Sequence, residues 1–190
     1  MQYLRLYQGS LPTTKIYQEW EEFAKEQNCG ALCIFTGIVR QEESKEIESK
    51  NKSLGFCNAG DNPTTHSKAS EDLLNNTDLS QANRTTIVSA LSFDVYEPLL
   101  HKWFESWQTK ATQMGAVLLM AHSVGDVAHT QSSYMCAVIS KQRKAALALY
   151  EEFIEDFKAN APIWKYDIVG AQRVFALSRS TPIEGSGVLG

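Results

Sequence analysis

The chain has 190 residues, 43% of them hydrophobic and 10% aromatic, enough to bury one sizeable core. Its net charge of −4 argues against a general nucleic-acid binder but leaves room for a local basic pocket that takes a small anion. No run approaches the roughly 18 apolar residues that a membrane span needs, and the opening Met-Gln-Tyr-Leu-Arg-Leu-Tyr lacks the pattern of a signal peptide. Four cysteines, Cys29, Cys33, Cys57 and Cys136, form no CxxC pair, so the expectation is a reduced, cytoplasmic protein.

In chain order, residues 2–8 read as a strand through Tyr3, Leu4, Leu6 and Tyr7. Thr13 or Thr14 can cap a helix to about Gln27, in which Ile16, Tyr17, Trp20, Phe23 and Ala24 recur with the helical period. Residues 31–39 form a continuous apolar run of the buried-strand type, and Arg40 stands at its far end. From Gln41 to about Arg84 polar residues dominate without any sustained period, which predicts a largely disordered insertion. Residues 86–97 alternate as a strand. Pro98 suits a helix first turn, Leu100, Trp103, Phe104, Trp107 and Ala111 make its buried stripe, and Gly115 fits its end. Strands follow at 116–124 and 132–140, with a turn starting at Gly125-Asp126 between them. Ser140 can cap a third helix whose Leu147, Tyr150, Ile154 and Phe157 face inward. Pro162 breaks that helix, two short strands are expected around 164–169 and 172–178, and a flexible tail at about 180–190. The strands at 116–140 lie too close for a helical crossover, so the expectation is α+β with antiparallel pairing, as one domain over 1–190.

The stretch Asp-Phe-Lys-Ala-Asn-Ala-Pro-Ile-Trp-Lys, residues 156–165, organises the chemistry. The Pro162 break puts Lys158 on the last helical turn and Lys165 just beyond it, so two ammonium groups can converge from different backbone segments. Taken alone, the stretch fits better a helix C-terminus whose lysines suit its dipole. The Ser-His-Asp, HExxH, Walker and GxGxxG patterns are all missing. The spacing of Cys29 and Cys33 is wrong for a metal knuckle with His122 or His129, so they read as core residues. His122 ends a strand, where it serves either structure or a site. Arg40, Arg143, Lys158 and Lys165 are then cations at element ends, a set suited to binding a phosphorylated ligand and stabilising developing negative charge. What they lack is a nucleophile.

Phe-Thr-Gly-Ile-Val-Arg (35–40), Tyr-Glu-Pro-Leu-Leu-His-Lys (96–102), His-Ser-Val-Gly (122–125) and residues 156–165 resemble, in the same order, the MoaE family of molybdopterin synthase catalytic subunits. The resemblance covers about residues 1–40 and 85–180. It implies an α/β-hammerhead-like fold with antiparallel sheets and three main helices. It also implies a sulfurtransferase that converts cyclic pyranopterin monophosphate, precursor Z, into the molybdopterin dithiolene. The sulfur would come as a thiocarboxylate on the C-terminal Gly-Gly of a small ubiquitin-like, MoaD-like partner, which supplies the missing nucleophile. A homodimer within a heterotetramer is implied, with no cofactor, metal, nucleic acid or membrane. Carried over by position, Lys158 and Lys165 match the family's active-site lysines, and Arg40, His122 and Arg143 its substrate-binding residues. Two departures stand out: Ser123 replaces the family's usual arginine, and Gln142 precedes Arg143 where the family often has histidine. They motivate an alternative, a catalytically degenerate scaffold that keeps the partner groove. A phosphate-ligand binding protein without a ubiquitin-like partner is a third reading.

Overall fold

The computed structural model describes residues 1–41, 43–44 and 86–176. The predicted disordered insertion, apart from Gln41, Glu43 and Ser44, and the predicted flexible tail lie outside the described residues. The chain divides into two units, residues 1–42 with 87–190, and residues 43–86.

In the first unit, β1 (Leu4–Gln8) leads into α1 (Thr13–Glu26) and then β2 (Ala31–Ile38). β3 (Glu43–Ser44) and β4 (Thr86–Ile87) pair as a separate two-stranded sheet. The chain continues through β5 (Ala90–Val95), α2 (Glu97–Gln113), β6 (Ala116–Ala128), β7 (Ser132–Ser140), α3 (Arg143–Asn160), β8 (Ile163–Val169) and β9 (Gln172–Phe175). Seven strands form one sheet in the order β2-β7-β6-β5-β8-β9, with β1 alongside β6. The pairings are antiparallel except β1 with β6, which is parallel and which the sequence reading did not anticipate.

Strand periodicity divides the core in two. Even-numbered Leu118, Met120, Cys136 and Val138 face α2 and α3, where Leu100, Phe104, Leu149 and Phe153 fill the space. Odd-numbered Leu119, Ala121, Met135, Ala137 and Ile139 face α1 and its Ile16, Trp20 and Ala24. Covered on both faces, β6 and β7 are the continuous apolar strands of the sheet. β2, read as a buried strand, is an edge strand and is only half-buried in one chain. Each large side chain fully removed from water here stabilises the fold by roughly 1.5–3 kcal/mol. Among the described residues, no helix is long and apolar enough to cross a membrane.

Four local expectations are corrected. No threonine side chain caps α1; Thr13 is its first residue, and the Pro12 carbonyl accepts from the Ile16 amide at 3.1 Å. Ser140 does not cap α3, because it stays in β7, paired with Ala31 and Ala116, while Gln142 precedes the helix with extended backbone. Gly125-Asp126 is no turn: β6 runs on to Ala128 by exchanging β7 and β1 for β5. Leu147 is 55% exposed rather than inward; Ala146, Leu149, Phe153 and Ile154 make the buried face of α3.

Candidate active site

A cleft of about 620 Å³ opens where the end of β2, the middle of β6 and the C-terminal end of α3 meet β5 and β8. Pro162 makes this meeting possible. The Ala161 carbonyl accepts from Ile163 at 2.7 Å and the Pro162 carbonyl from Tyr96 at 3.4 Å, so the chain turns at once from α3 into a strand beside β5. Lys158, on the last turn of α3, and Lys165, the third residue of β8, therefore line one cleft from two backbone segments.

The two ammonium groups sit in different surroundings. Lys158 is exposed and donates to the Glu155 carboxylate at 3.3 Å. Lys165 is half-buried opposite Phe93, and that burial lowers its pKa; Asp167 raises it again, and the Arg40 guanidinium lowers it. Burial in turn raises the Asp167 carboxyl while Lys165 lowers it. Residues 165 and 167 share a face of β8, as alternate residues of a strand must. Asp167, which sequence reasoning missed, is a charged neighbour that acts on Lys165. The signal was available in the lysine-x-aspartate spacing within an expected strand.

Arg40 follows the buried Val39, whose backbone bonds the β6–β7 hairpin in both directions, from its amide to Gln131 at 2.9 Å and from Thr130 to its carbonyl at 2.8 Å. The chain is thus anchored at Val39, which lines the cleft, and the charge of the exposed Arg40 that follows acts on Lys165.

His122 lies in the cleft wall and is only 3% exposed. Its Nδ1 lies 2.7 Å from the Ser123 carbonyl, an acceptor, so Nδ1 carries the proton and Nε2 keeps its lone pair. Rings surround it: Phe93 at 5.1 Å, Phe157 at 5.7 Å and Tyr134 at 5.8 Å. Burial among them pushes its pKa down to about 4, although the bond to Ser123 works the other way. His122 is therefore neutral at pH 7.

Tyr134 and Phe157 stack at 3.9 Å with planes only 7° apart and form an apolar wall of the cleft. The glycine of Phe-Thr-Gly-Ile-Val-Arg belongs to this arrangement. Gly37 pairs with Tyr134, and a Cβ there would come within 3.3 Å of the Tyr134 Cβ. A side chain at 37 would require the tyrosine to give way by a few tenths of an ångström.

One predicted residue, Arg143, and the departure at Ser123 lie away from the cleft. Arg143 is the first residue of α3, roughly 22 Å from Lys158 at about 1.5 Å per residue, and it is exposed. Ser123, next to His122 on β6, points to the opposite face as strand alternation requires, and is fully buried with no hydrogen-bond partner for its hydroxyl.

Comparison with known proteins identifies the family and the fold. The family described as MoaE protein matches residues 78–160. A molybdopterin synthase catalytic subunit of Helicobacter pylori is 41% identical over 186 residues, spanning 98% of this chain and 99% of its own. One of Aspergillus niger is 35% identical over 54% of this chain and 59% of its own. Among solved structures, a protein–protein complex of subunits 1 and 2 of the molybdopterin-converting factor of H. pylori contains a similar chain. It superposes with a TM-score of 0.72 at 41% identity, covering both chains fully. Molybdopterin synthase of Staphylococcus aureus, at 19% identity and a TM-score of 0.61 over 92% of this chain and 97% of its own, shares the fold. On these grounds the chain belongs to the MoaE family, the catalytic subunits of molybdopterin synthase.

Proposed function

We propose that this cleft transfers sulfur from the C-terminal thiocarboxylate of a small ubiquitin-like, MoaD-like partner to cyclic pyranopterin monophosphate, building the molybdopterin dithiolene. The observation that carries the reading is the pair of lysines lining one cleft from either side of the Pro162 break. The described side chains offer cations, a neutral histidine and apolar walls, so the nucleophile comes with the partner's tail, as a sulfur anion. A thiocarboxylate and a phosphate are both anionic, which suits Lys158, Lys165 and Arg40 around one opening.

Roles follow from environment. Lys165, half-buried with a lowered pKa, holds the thiocarboxylate and gives a proton to intermediates more readily than an ordinary lysine. Lys158, exposed on the helix end, meets the incoming tail. Arg40 holds the substrate phosphate, for which a guanidinium offers paired donors. His122 presents Nε2 as an acceptor to the pterin. Arg143, at the far end of α3, holds phosphate only in a neighbouring chain's cleft, within a homodimer at the centre of a heterotetramer.

The test is reconstitution of this protein with a thiocarboxylated Gly-Gly partner and precursor Z, reading the dithiolene product by mass spectrometry. Product is expected, with a fall on the order of 100-fold or more in Lys165→Ala. An undiminished rate in that variant overturns the assignment of Lys165. A stable partner complex without product supports the degenerate-scaffold alternative.

A further inference from the structure

The last turn of α3 carries Phe157 and Lys158 into the cleft, yet helix ends leave their final carbonyls unpaired and fray readily. Here only the Phe157 carbonyl is taken up by the turn that follows, from the Ala161 amide at 3.2 Å. What fixes this end lies on its other side. The Oδ2 of Asp156 accepts from the indole Nε1 of Trp103 at 2.8 Å and of Trp107 at 2.7 Å. Its Oδ1 accepts from Asn160 Nδ2 at 2.6 Å. The indoles stand four residues apart on α2, on one helix face, and so converge on a single oxygen.

An aspartate is a poor choice here on local grounds. It places a negative charge near the negative end of the helix dipole, and aspartate is a weak helix former. Three donors on one carboxylate, two of them part-buried indole N–H groups that each have a single proton to give, offset that cost. The same indoles are tied to the cleft wall. Trp103 stacks on Phe153 at 5.5 Å and meets Phe157 at 6.2 Å, and Phe157 stacks on Tyr134. Asp156 itself does not line the cleft, and Lys158 pairs with Glu155 rather than with it.

We propose that Asp156 is a positioning residue for turnover: its carboxylate, clamped between Trp103 and Trp107, sets the rotation of the last turn of α3 and so aims Lys158 and seats Phe157. The proposal rests on the reading above that Lys158 acts in sulfur transfer. A clamp on α2 then determines the reach of a group on α3, and a displacement of about 1 Å is enough to cost up to roughly 100-fold in rate.

Three variants test this in the reconstituted complex: Asp156→Ala, Asp156→Asn and Lys158→Ala, with the double variant Asp156→Ala/Lys158→Ala. Two readouts are taken, kcat and KM for the pterin, and amide hydrogen exchange over residues 157–161. Asp156→Ala is expected to exchange faster at those amides and to lose on the order of tenfold or more in kcat, with a smaller change in KM. Asp156→Asn keeps an acceptor oxygen for the indoles and is expected to recover most of the rate, and it serves also if the alanine variant fails to fold. The double variant is expected to lose much less than the product of the two single losses, since the aspartate acts chiefly through the lysine. Unchanged exchange in Asp156→Ala, or fully additive losses, overturns the proposal. Faster exchange together with full turnover in Lys158→Ala overturns the assigned role of Lys158 and leaves the clamp standing.

Discussion

Burial holds the Lys165 ammonium below the ordinary lysine pKa, Asp167 opposes that shift, and Arg40 reinforces it. These three residues therefore form a tunable set, and their signs can be checked separately. If turnover needs the protonated lysine, the rate falls on the alkaline side as Lys165 loses its proton. Arg40→Gln removes a repelling cation, so that limb is expected to move to higher pH even though substrate binding weakens. Asp167→Asn removes an attracting anion, so the limb is expected to move to lower pH. The measurement is the pH profile of kcat/KM in the reconstituted synthase. A limb that stays in place in both variants would show that some other group titrates. Ser123 bears on the same scale. A substitution that looks like a lost cation in the sequence falls, in this chain, on the face of β6 that looks away from the cleft.

At the scale of elements, β6 connects core to site. Its first half lies between β7 and β1, its second half beside β5, and Gly125 sits where the partners change, with φ of +77°. A Cβ there would meet nothing closer than Gln8 Oε1 at 3.6 Å, so space is not the constraint; the left-handed backbone is. Gly125→Ala is expected to cost about 1–2 kcal/mol of stability by urea unfolding, and Gly125→Asn less, since asparagine tolerates that conformation. Equal loss in both would point instead to a packing cause. Gly125 pairs with Phe93 of β5, and Phe93 pairs with Lys165 of β8, so this left-handed position lies one strand away from Lys165. The sequence could not show this. Pro98 at the start of α2 and the apolar stripe from Leu100 to Ala111 are local signals, and both were legible. A strand that swaps partners in mid-course depends on residues far away in the chain, and its glycine looked like a turn. Ser140 misled for the same reason, because pairing with Ala31 and Ala116 holds in the sheet a residue that would locally suit a cap.

Across the whole molecule, the site was half legible. Lys158 and Lys165 could be placed together because a proline break is a local event, and Arg40 because it ends a strand. The aromatic wall was not, since Tyr134 and Phe157 meet only when β7 packs under α3. Nor could the sequence say that the polar stretch from 41 is shared, whereas the H. pylori relative matches along 98% of the chain. That aromatic wall also makes His122 a determinant of global stability. In the unfolded chain a histidine titrates near 6.5, whereas in the fold His122 titrates at about 4, because burial among Phe93, Tyr134 and Phe157 offers its cation no counter-charge. Between these values the unfolded state binds a proton that the folded state does not, so stability falls as the pH falls from about 6.5 to 4 and is fully present above that window. The shift corresponds to a loss on the order of 3 kcal/mol at the acid end. Urea unfolding of the wild type and of His122→Gln between pH 7 and 4 isolates this group, because the other titrating residues are common to both. The variant is expected to be less stable at pH 7, having lost a buried ring, but to decline less steeply with acid. If the two curves run parallel, the imidazole is protonated in the folded protein as readily as in the unfolded chain. Nε2 would then still be an acceptor in most molecules at pH 7, on the strength of the Nδ1 bond to Ser123, but would lose that role as the pH fell through 6.5 rather than through 4.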